Sequence, residues 1–342
     1  MCSRDARRRG LRGWGWGNMI ISRTPFRISF AGGGTDLAAF YRHQPGAVTS
    51  SAIDKYMFIT VNKRFDETIR VSYSKTEIVG TVEELEHPIV REALKLTGLT
   101  EGLEITSIAD LPAGTGMGSS SSFTVGLLNA LHAYAGRYAS AERLAQEACR
   151  IEIDILGEPI GKQDQYAAAY GGLNHIQFNP DETVFVDPVI SANETRVELS
   201  EHLLLLYTGV KRSASTILAK QKEDTQKKLD ILSKMRDISR EMARVLQAGR
   251  RLTEFGELMH QAWELKRGVT GGITNADVDR WYEMAREAGA LGGKLLGAGG
   301  GGFLLFFVER QNRQRVRERL AELRELPFRL EPQGAKILYV GG

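Results

Sequence analysis

The chain has 342 residues, 42% of them hydrophobic and 25% charged, which suits about two domains with a sizeable core. No apolar run approaches the roughly 20 residues that span a bilayer. The two cysteines, Cys2 and Cys149, cannot build a disulfide framework and suit a reducing compartment, so no membrane partner and a cytoplasmic location are expected. The net charge of +3 is concentrated at the start. Residues 1–18 carry Arg4, Arg7, Arg8, Arg9 and Arg12 against Asp5, a balance of +4, which leaves the remainder at −1. A nucleic-acid partner is therefore not expected for the body of the chain, and residues 1–18 read as a dispensable basic extension without the apolar segment of a signal peptide.

From residue 19 a strand pattern runs to Ala31, three glycines interrupt it, and Asp36 precedes an apolar, helix-like run. Asp36 reads either as an N-cap or as a functional carboxylate. Arg23 and Arg27, four apart on a strand, share a face, so one of them is a candidate ligand for a phosphate or a transition-state charge. Further β-rich runs are expected at 47–53, 57–61 and 69–73, and a helix over 82–96.

A strand over 103–108 then leads into Pro112, Ala113, Gly114, Thr115, Gly116, Met117, Gly118 and Ser119 to Ser122, after which Phe123, Leu127, Leu128 and Leu131 mark one buried helix face. Alternate glycines let consecutive backbone N–H groups converge, and the helix start adds unpaired N–H groups and a positive dipole end. An anion-binding loop fits this stretch better than a flexible linker. It is not a P-loop, because the Gly-Lys-Ser/Thr ending is absent. A helix over 140–156, with Ser140 as N-cap, ends at Gly157 and Pro159, and Glu152 and Asp164 flank the connection. They read as surface carboxylates or, beside a phosphate loop, as groups serving a nucleotide and its Mg²⁺.

From residue 201 come an apolar strand (203–207), helical stretches at 214–247, 251–267 and 275–288, and two apolar strands around the glycine cluster 297–302. A basic helix (310–324) and a strand (335–340) close the chain. This order suggests an α+β second domain of ferredoxin-like character. Five glycines in six residues exceed the needs of a hairpin and imply close backbone approach to a ligand or to the first loop. The six histidines lack metal spacing, and no GxSxG elbow accompanies the serines.

Four segments in this order, 24–36, 112–122, 152–164 and 297–302, resemble the GHMP kinases, a superfamily that includes galactokinase and mevalonate kinase. The resemblance spans about 19–342. It implies an N-terminal domain (19–200) like ribosomal protein S5 domain 2 and a C-terminal ferredoxin-like domain (201–342). ATP and Mg²⁺ are the implied cofactors. By position, Pro112, Gly114, Gly116, Gly118, Ser119, Ser120 and Ser121 would bind the nucleotide, and Ser120 with Glu152 would hold the metal. Asp164 would act as general base and Arg27 would face the transferring phosphate. Gly33, Gly34, Thr35, Asp36 and Gly300 would border the acceptor. The Glu-His pair of galactokinases is replaced by Gly33 and Gly34, which argues against galactose. The segment 23–36 and the run 161–168 resemble most the branch acting on D-glycero-D-manno-heptose 7-phosphate at its anomeric O1, with fucokinase-like or N-acetylhexosamine kinase-like specificity as the alternative. A cationic clamp for the acceptor phosphate is then required, with Lys162, Lys211 and Arg212 as candidates. A small-molecule partner and a monomer or homodimer are expected.

Overall fold

A computed structural model describes residues 19–210 and 228–341. The expected basic extension 1–18 lies outside the described residues, as do Lys211, Arg212 and the start of the expected helix 214–247, of which Leu229–Ala248 is described.

The first sheet contains β1 (Met19–Ala31), β2 (Gly46–Lys63), β3 (Ile69–Ser72), β4 (Thr76–Val79), β5 (Leu103–Ala109), β6 (Leu173–Phe178) and β7 (Val184–Pro188). The second contains β8 (Leu203–Tyr207), β9 (Ala290–Leu295), β10 (Phe303–Val308) and β11 (Arg324–Glu325). Its order, β11-β8-β10-β9, is wholly antiparallel. Numbered within that half the order is 4-1-3-2, the ferredoxin-like arrangement expected. The last strand, β12 (Lys336–Val340), belongs elsewhere: it pairs antiparallel with β1 and closes the edge of the first sheet. The chain's final segment thus returns to the first sheet, across the boundary expected near residue 200.

β1 is buried on both faces from Thr24 onward, with Phe26, Ile28 and Phe30 fully enclosed. Each such side chain contributes on the order of 1.5–3 kcal/mol through removal from water. The double burial follows from its position. The helix Ser119–Tyr134 packs on β1 and β2, as do the helices Leu229–Ala248 and Leu252–Arg267 on β1. Between Pro25 and Phe26 the pairing with β2 shifts, because Asp54 and Lys55 stand out of register there. The returning segment stitches that irregularity: the Asp54 N–H donates to Arg329 O and the Arg329 N–H to Asp54 Oδ1. The shift falls between Arg23 and Arg27, and the two have different surroundings. Arg23 lies over the Tyr56 ring and pairs with Glu331, whereas Arg27 enters the cleft described below.

Several helices depart from their expected form; the one expected over 310–324 is a 3-10 turn, Arg310–Asn312, and an α-helix over Arg313–Arg319 only. The one expected over 82–96 is a single 3-10 turn, Val82–Glu84, followed by an α-helix over Pro88–Thr97. Proline lacks the N–H that a helix interior needs but suits a first turn, so Pro88 starts the helix. The helix Ser119–Tyr134, expected to show one buried face, is buried on all sides from Ser121 to His132. The sheet covers one side, and the helices Pro88–Thr97, Ala141–Cys149 and Gln163–Tyr170 cover the rest. Among the described residues no helix is long and apolar enough to cross a membrane.

Candidate active site

The two glycine segments meet. Gly114, Gly116 and Gly118 take φ of +75°, +77° and +76°, the left-handed region in which a β-carbon is strained. A β-carbon at Gly116 would stand 2.5 Å from Leu296 O, and one at Gly297 would stand 2.5 Å from the Gly116 Cα. The second loop thus touches the first backbone to backbone, as five glycines implied. Beneath this contact lies a cleft of about 230 Å³.

One wall is built by the first glycine loop. Gly114, Gly116, Gly118 and Ser119 to Ser121 line it at the start of the 16-residue buried helix. Ser120 Oγ donates to Glu152 Oε1 at 2.5 Å, and Gln165 Nε2 donates to Glu152 Oε2 at 2.8 Å. Glu152 is completely buried because the helix that ends at Cys149 continues as a π-helical turn, Arg150–Ile155, which re-aims its side chain inward. Burial pushes the carboxyl up to about 6, opposed by the hydrogen bonds from Ser120 and Gln165. The alternative of a solvated carboxylate does not apply to Glu152.

At the floor, Arg27 and Asp164 form a fork. Arg27 Nε donates to Asp164 Oδ1 and Nη2 to Oδ2, both at 2.7 Å, and Nη1 donates to Gly116 O at 2.6 Å. Gly118 lies against this pair: a β-carbon there would be 3.4 Å from both Arg27 Cγ and Asp164 Oδ2. The base candidate, the arginine and the loop therefore form one unit, although they come from three distant stretches of chain.

The other wall is lined by Gly33, Gly34, Asp36, Ile160, Gly161 and Gln163. Asp36 is not an N-cap. Its carboxylate accepts from the Gly34 N–H (2.8 Å) and the Gln163 N–H (3.3 Å), and burial raises its pKa against the lowering effect of the Gly34 bond. Three residues expected in the site, Thr35 and Gly300 at the acceptor and Pro112 at the nucleotide, are placed otherwise. Thr35 donates to Gly32 O and Ala47 O and holds the turn from within; Pro112 stays outside the cleft and accepts from Thr115 Oγ1; the Gly300 N–H bonds to Ile273 O, leaving Gly297 and Ala298 as the lining residues of that loop. Lys162 is also away from the cleft, donating to Glu182 at 2.5 Å over the Tyr41 ring.

Sequence reasoning missed two lining residues, Lys266 and Lys294, each only 8% exposed. A signal existed for both. Lys266 falls three and seven positions after Trp263 and Met259, on the buried face of its helix, and Lys294 interrupts an otherwise apolar strand.

The wall built by the first loop has the chemistry a nucleotide needs: glycine N–H groups at a helix start suit phosphates, and a hydroxyl with a carboxylate gives the hard oxygen ligands that Mg²⁺ takes. Among the described residues no group of three or more His, Cys, Asp or Glu side chains could hold a metal, so a bound Mg²⁺ would draw further ligands from phosphate and water.

Residues 78–172 match the family model for the GHMP kinases N terminal domain, and residues 241–325 match that for GHMP kinases C terminal. The chain is 30% identical over 307 residues to D-glycero-alpha-D-manno-heptose 7-phosphate kinase of Campylobacter jejuni, covering 85% of this chain and 89% of the relative. It is 27% identical to a galactokinase of Pyrococcus furiosus, over 87% and 91% of the two chains. A solved D-glycero-D-manno-heptose 1-phosphate kinase from Bacteroides thetaiotaomicron superposes with a TM-score of 0.79 at 24% identity, covering 94% of this chain and 100% of that one.

Proposed function

The chain belongs to the GHMP kinase family, and from that premise we propose that it transfers the γ-phosphoryl group of ATP to the anomeric hydroxyl of D-glycero-D-manno-heptose 7-phosphate. The product is the 1,7-bisphosphate, a precursor for surface polysaccharide. The observation that carries this reading is the Arg27–Asp164 fork beneath Gly118, with Asp36 across a space widened by Gly33 and Gly34. Asp164 accepts the proton of the attacking hydroxyl. Arg27 orients that carboxylate and presents a positive charge to the transferring group, and the loop N–H groups hold the remaining phosphates. Mg²⁺, when held by Ser120 and Glu152 with the nucleotide, supplies charge neutralisation. Asp36 accepts a hydrogen bond from an acceptor hydroxyl, and the glycines leave room for a seven-carbon chain.

The test is an ATP-consumption assay over free sugars and sugar phosphates. The heptose 7-phosphate is expected to give the highest kcat/KM; equal or faster turnover of free fucose, galactose or an N-acetylhexosamine would sink the assignment.

Gly161→Ala offers a separate check on the acceptor wall. The new β-carbon would fall 2.0 Å from Asp36 Oδ2, so the carboxylate must move. Loss of one hydrogen bond to a charged group corresponds to roughly a 10- to 100-fold rise in acceptor KM. Nucleotide affinity is expected to stay unchanged, and an unaltered acceptor KM would remove Asp36 from this role.

A further inference from the structure

β6 and β7 are joined by a tight turn, closed by the Asn179 N–H donating to Thr183 O and the Glu182 N–H donating to Asn179 O. Glu182 there has a φ of +70°, one of two residues other than glycine with positive φ among the described residues. A three-residue hairpin loop of this form puts its last residue in the left-handed region, where glycine fits without strain. A glutamate keeps the turn at a conformational cost, so its side chain is the feature to account for.

That side chain reaches two segments of the acceptor wall from outside the cleft. Tyr41 Oη and Lys162 Nζ both donate to Glu182 Oε2, at 2.7 and 2.5 Å, and Arg42 Nε donates to Oε1 at 2.7 Å. Burial works against the ionised carboxyl, yet the bonds from Lys162, Tyr41 and Arg42 hold it down at about 2, so it is charged at neutral pH. The Arg42 side chain is 64% exposed and such a pair is worth little, whereas that of Lys162 is 15% exposed and Tyr41 is buried. Lys162 and Tyr41 therefore carry the link. Both lead directly to Asp36. Tyr41 closes the single helical turn Ala38–Tyr41 just after it, with its N–H bonded to Leu37 O. The Lys162 N–H donates to Asp36 O and the Gln163 N–H to Asp36 Oδ2, both at 3.3 Å. Asp36, Gly161 and Gln163 line the cleft.

We propose that Glu182 is a positioning residue for the acceptor: by holding Lys162 and Tyr41 together from a third element, it fixes the backbone of 161–163 against Asp36 and so sets how tightly the acceptor binds. The proposal rests on the reading of this wall as the acceptor side. Asp164 is held separately by its fork with Arg27, so acceptor KM responds more than kcat.

Glu182→Ala and Glu182→Gly test this together, assayed with whichever sugar or sugar phosphate the wild type turns over fastest, so that failure of the heptose assignment leaves the test standing. Both variants lack the carboxylate, but glycine also relieves the turn, so Glu182→Gly should melt higher than Glu182→Ala. Acceptor KM is expected to rise about 10-fold, equally in the two, while ATP KM holds and kcat is largely kept. Glu182→Gln, which retains an oxygen for Lys162 and Tyr41, should recover much of the loss. Recovery in Glu182→Gly would assign the effect to the turn, and a parallel rise in ATP KM would assign it to general loosening; either result overturns the proposal, as does no recovery in Glu182→Gln. Hydrogen exchange at the Lys162 and Gln163 amides, which needs no substrate, separates the proposal from the reading beneath it. Faster exchange in both carboxylate-free variants with an unchanged acceptor KM overturns the acceptor role of the wall, and the proposal with it. Unchanged exchange overturns the role of Glu182 whatever the acceptor.

Discussion

Asp164→Asn is expected to lower kcat by about 10²- to 10⁴-fold while nucleotide affinity survives, since general-base assistance is typically worth that much. The geometry supports a clean outcome. The amide introduced by this substitution would keep one oxygen able to accept from Arg27, so the fork that orients the side chain is weakened and not abolished. The carboxylate is 24% exposed and Arg27 only 4%, so the arginine carries the greater risk from losing its partner. Removing one member of a buried pair can cost several kcal/mol, and thermal unfolding must be followed beside the kinetics. The size of the loss also reports on the acceptor. An anomeric hydroxyl is more acidic than an ordinary alcohol and needs less help, so within this range a loss near 10² fits transfer to the anomeric oxygen and one near 10⁴ fits an alcohol. Near-normal kcat in a folded, nucleotide-binding variant would remove Asp164 from the base role.

Gly116→Ala is expected to cost at least about 10² in kcat/KM, the scale on which a misplacement of 1 Å acts. Two effects combine. At φ of +77° alanine is strained by about 1–2 kcal/mol. In addition the methyl group would lie 2.5 Å from Leu296 O and 2.9 Å from Leu296 C, both backbone atoms that cannot rotate away. The loops must separate, and with them the Gly116 carbonyl that receives Arg27 Nη1. Gly98→Ala isolates the first effect: φ there is +72°, and a β-carbon would meet nothing within 4 Å. Activity is expected to persist in Gly98→Ala and to fall in Gly116→Ala. Equal activities would show that contact between the loops does not matter to catalysis.

The helix that the sequence suggested over 82–96 shows where local reading fails: the apolar spacing was real, but Pro88 and the extended backbone at His87 divided it. The strand 335–340 was recognised as a strand, yet nothing in its five residues says that its partner is β1, more than 300 positions earlier. Likewise the four-residue spacing of Arg23 and Arg27 does not show that the ladder shifts between them, at Asp54 and Lys55, where a segment near residue 329 bonds instead.

What the sequence alone determined is the set of features governed by local backbone preference and helix-end chemistry. The positive φ at Gly114, Gly116 and Gly118 was readable from the alternation of glycines, as was the helix start behind them. The approach of Ser120 to Glu152 and the place of Asp164 came from comparing whole segments with a family pattern, since no local rule joins residues 32 positions apart. Only the tertiary structure decided that Thr35 supports its turn and that Lys266 and Lys294 converge beside Gly33 and Ser29 from more than 200 residues away. The physical reason is that burial of a charge is set by everything packed around it. A lysine in the sequence is expected in water, and only packing enclosed these two.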